Sequence, residues 1–333
     1  MEKRSAETNL AVDFRIRIMK NMISVAMATY NGERYIAEQL ESICKQTKKV
    51  DEVVIVDDCS TDGTTEIVRK YRQQYPQCNI RVFENEANLG YKKNFYRAMS
   101  LCEGDIIFLC DQDDIWKADK VETLVKILEN YENAWLVSSS FIQIDGDGKV
   151  VSDNKSAYQR KLRHEEIVSV PLEDLIFHNI SQGCAMAFRK EVRNLYLENF
   201  AEELPHDWMI NVIAAMRKKC YYLNRPMFYY RIHDENTIGL NEGLTLNKKN
   251  SLAVRTHDAM QAVKVINLFE KMDCDVYYEN MWLKEMWSFA MNHISYLENK
   301  ESLKIMFQNF NPYYKKLKTV RGRLLDMFFC VKK

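Results

Sequence analysis

The stretch that decides the fold is Val53-Val54-Ile55-Val56-Asp57-Asp58, which is followed by the turn Cys59-Ser60-Thr61-Asp62-Gly63. Four consecutive β-branched residues are typical of a parallel strand that helices cover on both faces. The turn residues precede a helix that we predict over residues 64–71. The segment therefore predicts one strand–turn–helix unit of an α/β sheet, with two carboxylates where the strand ends.

The same unit recurs along the first part of the chain. Apolar runs predict further strands over residues 23–28, 80–83, 106–110 and 135–140. Apolar residues at helical spacing predict helices over residues 33–46, 94–100 and 117–129. Strands and helices that alternate with short connections predict a doubly wound, mostly parallel α/β sheet. Later segments predict a hairpin around residues 145–148 and mostly helices over residues 252–310.

The length and composition of the chain exclude several classes of protein. A length of 333 residues predicts one large domain or two. The hydrophobic fraction of 47% and the charged fraction of 28% are those of a globular protein, which excludes global disorder. The 47 basic and 47 acidic residues cancel, so we expect no nucleic-acid partner.

Cysteine usage and the lack of long apolar segments predict a cellular location. The nine cysteines are scattered and never form a C-x-x-C pair, which indicates reduced thiols in the cytoplasm. The first residues lack the apolar stretch of a signal peptide. No window approaches the ~18 apolar residues of a membrane-spanning helix. We therefore expect a cytoplasmic protein that is soluble or peripheral to a membrane.

An acidic motif, Asp111-Gln112-Asp113-Asp114, follows the wholly apolar strand predicted over residues 106–110. Side chains at positions i and i+2 of a strand project to one side, so Asp111 and Asp113 can converge on one target. Ligands of open α/β sheets bind at the carboxyl ends of the strands. Two close carboxylates favour a shared hard cation such as Mg²⁺ or Mn²⁺. The alternative is a solvated acidic turn that caps the next helix.

A second acidic pair, Asp57 and Asp58, ends another buried strand. A carboxylate there can accept a hydrogen bond from a nucleobase N–H or a ribose hydroxyl, whereas Asp62 and the neighbouring hydroxyls can simply cap the next helix. No G-x-G-x-x-G or G-x-x-x-x-G-K-[ST] motif follows a predicted strand, which argues against dinucleotide-binding and P-loop proteins.

Four motifs in order carry a resemblance to a known family. They are SVAMATYNG at residues 24–32, VIVDDCSTDGT at 54–64, NLG at 88–90 and DQDDIW at 111–116. On these motifs the chain resembles the family 2 glycosyltransferases over about residues 23–240. Members of that family have the GT-A fold, use nucleotide sugars and invert the anomeric configuration. The DQDDIW form is most similar to bacterial rhamnosyltransferase-like members, which build cell-surface polysaccharide.

The resemblance implies roles for individual residues around the donor. Asp58 would accept the pyrimidine N–H, Asp111 would hold the ribose side, and Asp113 would coordinate a metal on the diphosphate. The other donor-binding residues that the resemblance implies are Thr29, Tyr30, Glu33, Asn88, Lys92, Asn94 and Asp114. For those between residues 88 and 94, a polar helix start is the alternative.

Two later motifs extend the resemblance. The segment LPHDW at residues 204–208 resembles the family's base motif, with Asp207 as the general base, although Asp207 could equally begin a helix as its N-cap. The segment YRIHDENT at residues 230–237 resembles the loop that closes over the diphosphate. There Arg231 would neutralise charge, and His233 would ligate the metal or donate to phosphate. A purely structural histidine is the alternative for His233.

The resemblance thus implies inverting transfer from a pyrimidine nucleotide sugar to a hydroxyl of a glycan or polyprenyl-linked acceptor, with Mg²⁺ or Mn²⁺. It points to dTDP-L-rhamnose as the donor and leaves UDP-sugars open. One alternative is a haloacid-dehalogenase-like phosphatase with Asp111 as nucleophile and Asp113 as acid. Ile115 argues against it, because that motif usually carries Thr or Val at this position. A glycosyltransferase-like scaffold without activity is the second alternative.

We expect three regions along the chain. These are an N-terminal extension over residues 1–22, a GT-A domain over residues 23–240 and a helical region over residues 241–333. Within the GT-A domain, residues 23–117 would form the nucleotide-binding half and residues 118–240 the acceptor half.

The last 19 residues, 315–333, hold seven basic residues and one acid, Asp326. Apolar residues recur there at steps of three and four, so one helical face is apolar. This pattern predicts either a last helix packed on the catalytic domain or a helix that lies on the anionic inner face of the plasma membrane.

Overall fold

The structure is a computed structural model that describes residues 21–131, 133–152, 158–233, 251–272 and 280–331. Several predictions fall partly outside these residues. They are the N-terminal extension up to residue 20, positions 234–237 of the motif at 230–237, the domain boundary at residues 240 and 241, positions 273–279 of the predicted helical stretch, and the last two lysines of the basic tail.

A ten-stranded sheet runs through the described residues. Its strands are β1 (Ile23–Thr29), β2 (Glu52–Asp57), β3 (Ile80–Glu84), β4 (Ile106–Cys110), β5 (Ile115–Trp116), β6 (Leu136–Ile144), β7 (Val150–Ser152), β8 (Ile167–Ser169), β9 (Met186–Arg189) and β10 (Cys220–Arg231). Their order is β3-β2-β1-β4-β9-β6-β10-β5, while β7 pairs with β6 and β8 with β10.

Most strands of this sheet run in one direction. The pairs β2–β3, β1–β2, β1–β4 and β6–β10 are parallel. The short strand β9 lies antiparallel between β4 and β6, and β5 is antiparallel to β10. Sequence periodicity did not reveal β9, because four residues carry little pattern and both of its partners are distant in sequence.

Eleven helices flank the sheet in the described part of the chain. They are α1 (Ile36–Cys44), α2 (Thr64–Gln74), α3 (Tyr91–Leu101), α4 (Lys120–Asn130), α5 (Lys190–Glu198), α6 (His206–Met216), α7 (Leu252–Met272), α8 (Met281–Glu298), α9 (Ser302–Gln308), α10 (Pro312–Leu317) and α11 (Val320–Val331).

The helices cover both faces of the sheet, because successive side chains of each buried strand enter two different cores. Val54 and Val56 of β2 belong to the core that contains residues of α3, α5 and α6. Val53 and Ile55 belong to the core that contains residues of α1, α2 and α4. This arrangement confirms the predicted doubly wound α/β class.

Three helix starts differ from the predicted ones. The helix predicted from residue 117 begins at Lys120, and the other two differ for local reasons. The helix predicted from residue 33 begins at Ile36, because the Gly32 carbonyl accepts hydrogen bonds from Tyr35 N and Ile36 N and holds the intervening residues in a turn. The helix predicted from residue 94 begins at Tyr91, directly after Gly90, whose φ of +79° lies in the left-handed region that glycine adopts readily.

The C-terminal helices share a core with the rest of the chain. Val265 of α7 and Met286 of α8 belong to the same buried cluster as Trp208 and Ile213 of α6. The predicted helical extension is therefore packed against the sheet domain rather than separate from it. None of the helices in the described ranges has the length and apolar character needed to cross a bilayer.

Candidate active site

A cavity of about 880 Å³ lies where β1, β2 and β4 end, at the carboxyl edge of the parallel strands. Ten of the thirteen residues that the sequence singled out line it. They are Thr29, Tyr30, Glu33, Asp58, Asn88, Asn94, Asp111, Asp113, Asp207 and His233. Lys92, Asp114 and Arg231 are not among the lining residues.

The two aspartates that end β2 have different surroundings. Asp57 accepts hydrogen bonds from Thr29 Oγ1 at 2.8 Å and from the Ser60 backbone N–H at 2.7 Å, so it fixes the turn after β2. Asp58 accepts from the backbone N–H groups of Leu89 and Gly90, both at 2.8 Å, and from Asn85 Nδ2 at 2.6 Å. Three donors leave Asp58 about one of its four acceptor positions for a ligand.

Asn94 and Asn88 occupy the side of the cavity next to Asp58. Asn94 is almost fully buried and donates from Nδ2 to the Val56 carbonyl at 2.9 Å, while its Oδ1 accepts from Asn85 at 3.0 Å. Asn88 Oδ1 accepts from the Gly90 N–H at 3.1 Å. Both side chains thus hold the loop that carries the Asp58 contacts, in addition to lining the cavity.

Gln112 is a site residue that sequence reasoning missed, although it lies within the acidic motif. Its side-chain amide accepts from Tyr30 N and donates to Tyr30 O, both at 2.9 Å, and so joins the ends of β1 and β4. A Cβ at position 32 would push the side-chain amide of Gln112 away from this position, so the glycine leaves room for the contact with Tyr30. The motif therefore shapes the cavity wall as well as supplying carboxylates.

The carboxylates of the acidic motif lie close together and against the end of β10. His233 Nε2 lies 2.9 Å from Asp113 Oδ2, and both side chains are mostly buried. Burial raises the pKa of Asp111 to about 7, and repulsion from the nearby Asp113 carboxylate adds to this rise. Burial also raises the pKa of Asp114 well above its ordinary value. A divalent cation would relieve the repulsion among these carboxylates.

Two sets of donors could hold such a cation. Asp111, Asp114 and Cys184 bring ligand atoms within 4.8 Å of one another. However, Asp114 and Cys184 are fully buried behind the wall, and burial raises the pKa of the Cys184 thiol well above its usual value, which disfavours the thiolate. Asp113, His233 and Asp111 line the cavity instead, and their oxygen and imidazole donors fit Mn²⁺ or Mg²⁺.

Arg231 lies behind the acidic motif and not on the cavity wall, although the sequence motif implied that it neutralises donor charge. It is 2% exposed and donates from Nε to the Asp113 carbonyl at 2.8 Å. Its other nitrogens donate to Glu38 and to the carbonyls of Asp145 and Gly146. Arg231 thus fixes the position of the turn that carries Asp113.

Two other expected donor residues are also engaged elsewhere. Lys92 donates from Nζ to the Glu202 carbonyl at 2.7 Å. Asp114 is fully buried, and its Oδ1 accepts from the Arg231 backbone N–H at 3.1 Å. Neither side chain is presented to the cavity, because each forms a contact within the protein that turns it away.

Asp207 lines the same cavity from the first turn of α6. The N-cap of this helix is Pro205, so Asp207 is not the N-cap that sequence reasoning left open. Asp207 Oδ1 accepts from the Trp208 N–H at 2.7 Å. Burial raises the pKa of Asp207 to about 6, which keeps it mostly ionised at neutral pH and yet basic enough to take a proton.

His206, next to Asp207, is a lining residue that sequence reasoning also missed. Its ring is stacked on Phe95 with a centroid distance of 4.3 Å, and Tyr91 meets it edge-on. Burial lowers the pKa of His206 to about 3, so its ring is neutral over the physiological range. No sequence pattern could reveal this environment, because α3 contributes both aromatic neighbours.

Comparisons with known proteins agree with this geometry. The model of the family "Glycosyl transferase family 2" matches residues 24–195. The dTDP-rhamnosyl transferase RfbG of Shigella flexneri is 34% identical over 228 residues, which are 65% of this chain and 74% of that protein. An uncharacterized glycosyltransferase of Nostoc, alr2836, is 30% identical over 220 residues, 64% of this chain and 66% of that protein.

Solved structures show the same fold. S. aureus TarS 1–349 in complex with UDP-GlcNAc matches with a TM-score of 0.57 and 20% identity, over 92% of this chain and 89% of that one. The mannosyltransferase PcManGT from Pyrobaculum calidifontis, in complex with GDP-Man and Mn²⁺, matches with a TM-score of 0.51 and 18% identity, over 94% of this chain and 88% of that one. At these identities the likeness concerns the fold.

Proposed function

The chain belongs to glycosyl transferase family 2 and is therefore a sugar-transferring enzyme, and we propose that it moves L-rhamnose from dTDP-L-rhamnose to a hydroxyl group with inversion. The 34% identity to a dTDP-rhamnosyl transferase supports this donor over the UDP-sugars. Family membership also excludes the alternative that the chain is a haloacid-dehalogenase-like phosphatase. The acceptor that we propose is a glycan or polyprenyl-linked sugar of cell-surface polysaccharide.

One observation carries the proposal. Asp58, Asp111, Asp113 and Asp207 come from three different parts of the chain and meet around a single cavity at the carboxyl ends of the strands. Such an edge is where open α/β sheets bind ligands. A cavity of about 880 Å³ is within the range of pockets that enclose small-molecule ligands.

Donor binding would use the wall formed by the β1, β2 and β4 ends. The remaining acceptor position of Asp58 would take the thymine N–H, and Asp111 would hold the 3′-hydroxyl of the deoxyribose. Thr29, Tyr30 and Glu33 would complete the nucleotide pocket.

Asp113 and His233 would hold Mg²⁺ or Mn²⁺, which when bound neutralises charge on the leaving diphosphate. Arg231 would act indirectly, by fixing the Asp113 carbonyl.

Asp207 would act as the general base on the acceptor side. It would take the proton from the attacking hydroxyl as that oxygen bonds to the anomeric carbon and the diphosphate leaves from the opposite face. A single displacement inverts the anomeric configuration and forms no covalent intermediate with the enzyme. The neutral ring of His206 would border this side without adding positive charge that would lower the pKa of Asp207.

The division of the chain into a catalytic domain over residues 23–240 and a helical region over residues 241–333 is part of the proposal. We place the enzyme in the cytoplasm. In this division α6 links the two parts, because Asp207 lies at its start while Trp208 and Ile213 pack into the core shared with α7 and α8.

A donor panel tests the proposal. Release of nucleotide is measured for dTDP-L-rhamnose, UDP-glucose, UDP-GlcNAc and GDP-mannose, each with Mn²⁺ and with EDTA. We expect release from dTDP-L-rhamnose to exceed the others and to need the metal. Preference for GDP-mannose would overturn the pyrimidine assignment, and full activity in EDTA would overturn the metal's role.

A further inference from the structure

The last helix, α11, exposes apolar side chains and buries a polar one, which is the opposite of an ordinary amphipathic helix. Its most buried residues are Asp326 and Cys330. Four apolar side chains point outward instead, and each is between 50% and 69% exposed. They are Val320, Leu324, Phe328 and Val331. A helix at a protein surface normally buries its apolar stripe and exposes its polar one.

Polar contacts fix this orientation. Asp326 is fully buried and accepts from Tyr314 OH at 2.9 Å and from Arg255 Nη1 at 3.2 Å. Cys330 packs beside Ile305 of α9. Rotating α11 to bury its apolar stripe would break the buried contact between Asp326 and Arg255, which is strongly unfavourable. The apolar stripe therefore stays outward.

Basic residues lie beside the apolar stripe. At 100° per residue, the four apolar side chains fall within about 80° of the helix circumference, with the exposed Arg321 beyond one edge. Arg323 lies beyond the other edge but is partly buried and donates to Asn309 Oδ1 at 3.3 Å. Between residues 312 and 331, Asp326 is the only acid in the sequence, and it is buried. Lys315 and Lys316 on α10 are also exposed. We call the four apolar residues with Arg321, Lys315 and Lys316 the C-terminal docking face.

We propose that the C-terminal docking face binds the surface of an anionic lipid bilayer. The apolar side chains would enter the boundary between headgroups and acyl chains, and Arg321, Lys315 and Lys316 would contact lipid phosphates. A second copy of the chain is the less suitable partner. A symmetric interface centred on this face would bring the arginines of both copies together, and like charges repel.

Docking would also orient the active site, which goes beyond the transferase function proposed above. The helices α7 and α8 share one buried core with α6, and Arg255 of α7 forms the ion pair with Asp326 of α11. The cavity would therefore be held at a fixed orientation to the bilayer, which suits an acceptor that is itself anchored in lipid.

Flotation of the full chain with vesicles tests the proposal. Vesicles contain phosphatidylglycerol with phosphatidylcholine, or phosphatidylcholine alone, at low and high salt. We expect the chain to float with the anionic vesicles at low salt, and less at high salt, because salt screens charges at the surface. A chain that stays at the bottom of the low-salt anionic gradient would overturn the proposal.

Two variants separate the apolar and basic contributions. The double change Leu324→Ser with Phe328→Ser should abolish flotation and leave the thermal unfolding temperature unchanged, because both side chains are already exposed. The triple change Lys315→Gln, Lys316→Gln and Arg321→Gln should weaken partitioning about a hundredfold, since each basic residue contributes about fivefold.

Matched controls change equally exposed residues elsewhere. Val150→Ser with Val151→Ser removes apolar surface from the β6–β7 hairpin, and Lys70→Gln with Arg72→Gln removes charge from α2. Both controls should float like the unchanged chain. Equal flotation of the Leu324/Phe328 variant would overturn the proposal, as would a dimer that this variant dissociates. Nucleotide release from the sugar donor should be the same in all variants, so failure of docking is distinct from failure of the proposed function.

Discussion

Replacing Asp207 by asparagine tests the assignment of the general base. The asparagine would keep the shape of the side chain, and its Oδ1 could still accept from the Trp208 N–H, which Asp207 Oδ1 does at 2.7 Å. The amide cannot take a proton at neutral pH. Loss of a general base typically costs about 10²–10⁴-fold in rate. We therefore expect kcat to fall by about that factor while the donor Kd changes little.

The pH dependence gives a second measure of the same group. Because the pKa of Asp207 is raised to about 6, the basic form predominates above that pH and disappears below it. With saturating Mn²⁺, which would keep Asp111 ionised, the rate of the unchanged enzyme should thus rise through pH 6 and level off, with about one tenth of the plateau rate at pH 5. In the variant this rise should be missing.

The assay measures initial rates of nucleotide release with saturating acceptor, and donor affinity by calorimetry. Glu203→Gln is a matched control, because Glu203 is an exposed acid four positions before Asp207. It should leave the rate and its pH profile unchanged. A fall in donor affinity in step with kcat would refute the reasoning, since Asp207 would then be a binding residue.

Three further predictions concern the metal and the cavity wall. Mn²⁺ should raise the unfolding temperature of the unchanged chain but not that of Asp113→Asn. The exposed control Glu86→Gln should show the same rise as the unchanged chain. An equal rise in Asp113→Asn would contradict the metal assignment. Gly32→Ala should weaken donor binding about tenfold in calorimetry, because the added Cβ forces Gln112 away from Tyr30. Unchanged donor affinity would show that the contact between Gln112 and Tyr30 is not needed. Arg231→Lys should lower the free energy of unfolding by about 3 kcal/mol in urea titrations, because lysine cannot make the forked contacts of a buried guanidinium. A loss below about 1 kcal/mol would contradict the positioning role of Arg231.

The sequence was sufficient for the parts of the fold that depend on local pattern. The β-branched run of β2 and the apolar run of β4 each predicted a buried strand, and both strands are followed by carboxylates that line the cavity. Because parallel strands present their carboxyl ends at one edge, Asp58, Asp111 and Asp113 lie around the same cavity.

The parts that the sequence did not reveal depend on contacts between distant segments. Arg231 was expected to neutralise donor charge because its motif resembles the loop that closes over the diphosphate, yet it contacts Glu38, Asp113 and the turn at residues 145–146. The outward apolar stripe of α11 was left between two alternatives, because only the Asp326–Arg255 contact determines which face of the helix is buried.

The anomeric configuration of the sugar first released is the most direct test of inverting transfer with Asp207 as base. Proton NMR can follow the slow hydrolysis of dTDP-L-rhamnose by the unchanged enzyme with water in place of the acceptor, before the free sugar equilibrates. We expect the sugar to appear first with the anomeric configuration opposite to that of the donor, and Asp207→Asn to abolish its release. First appearance with the donor's own configuration would contradict a single displacement.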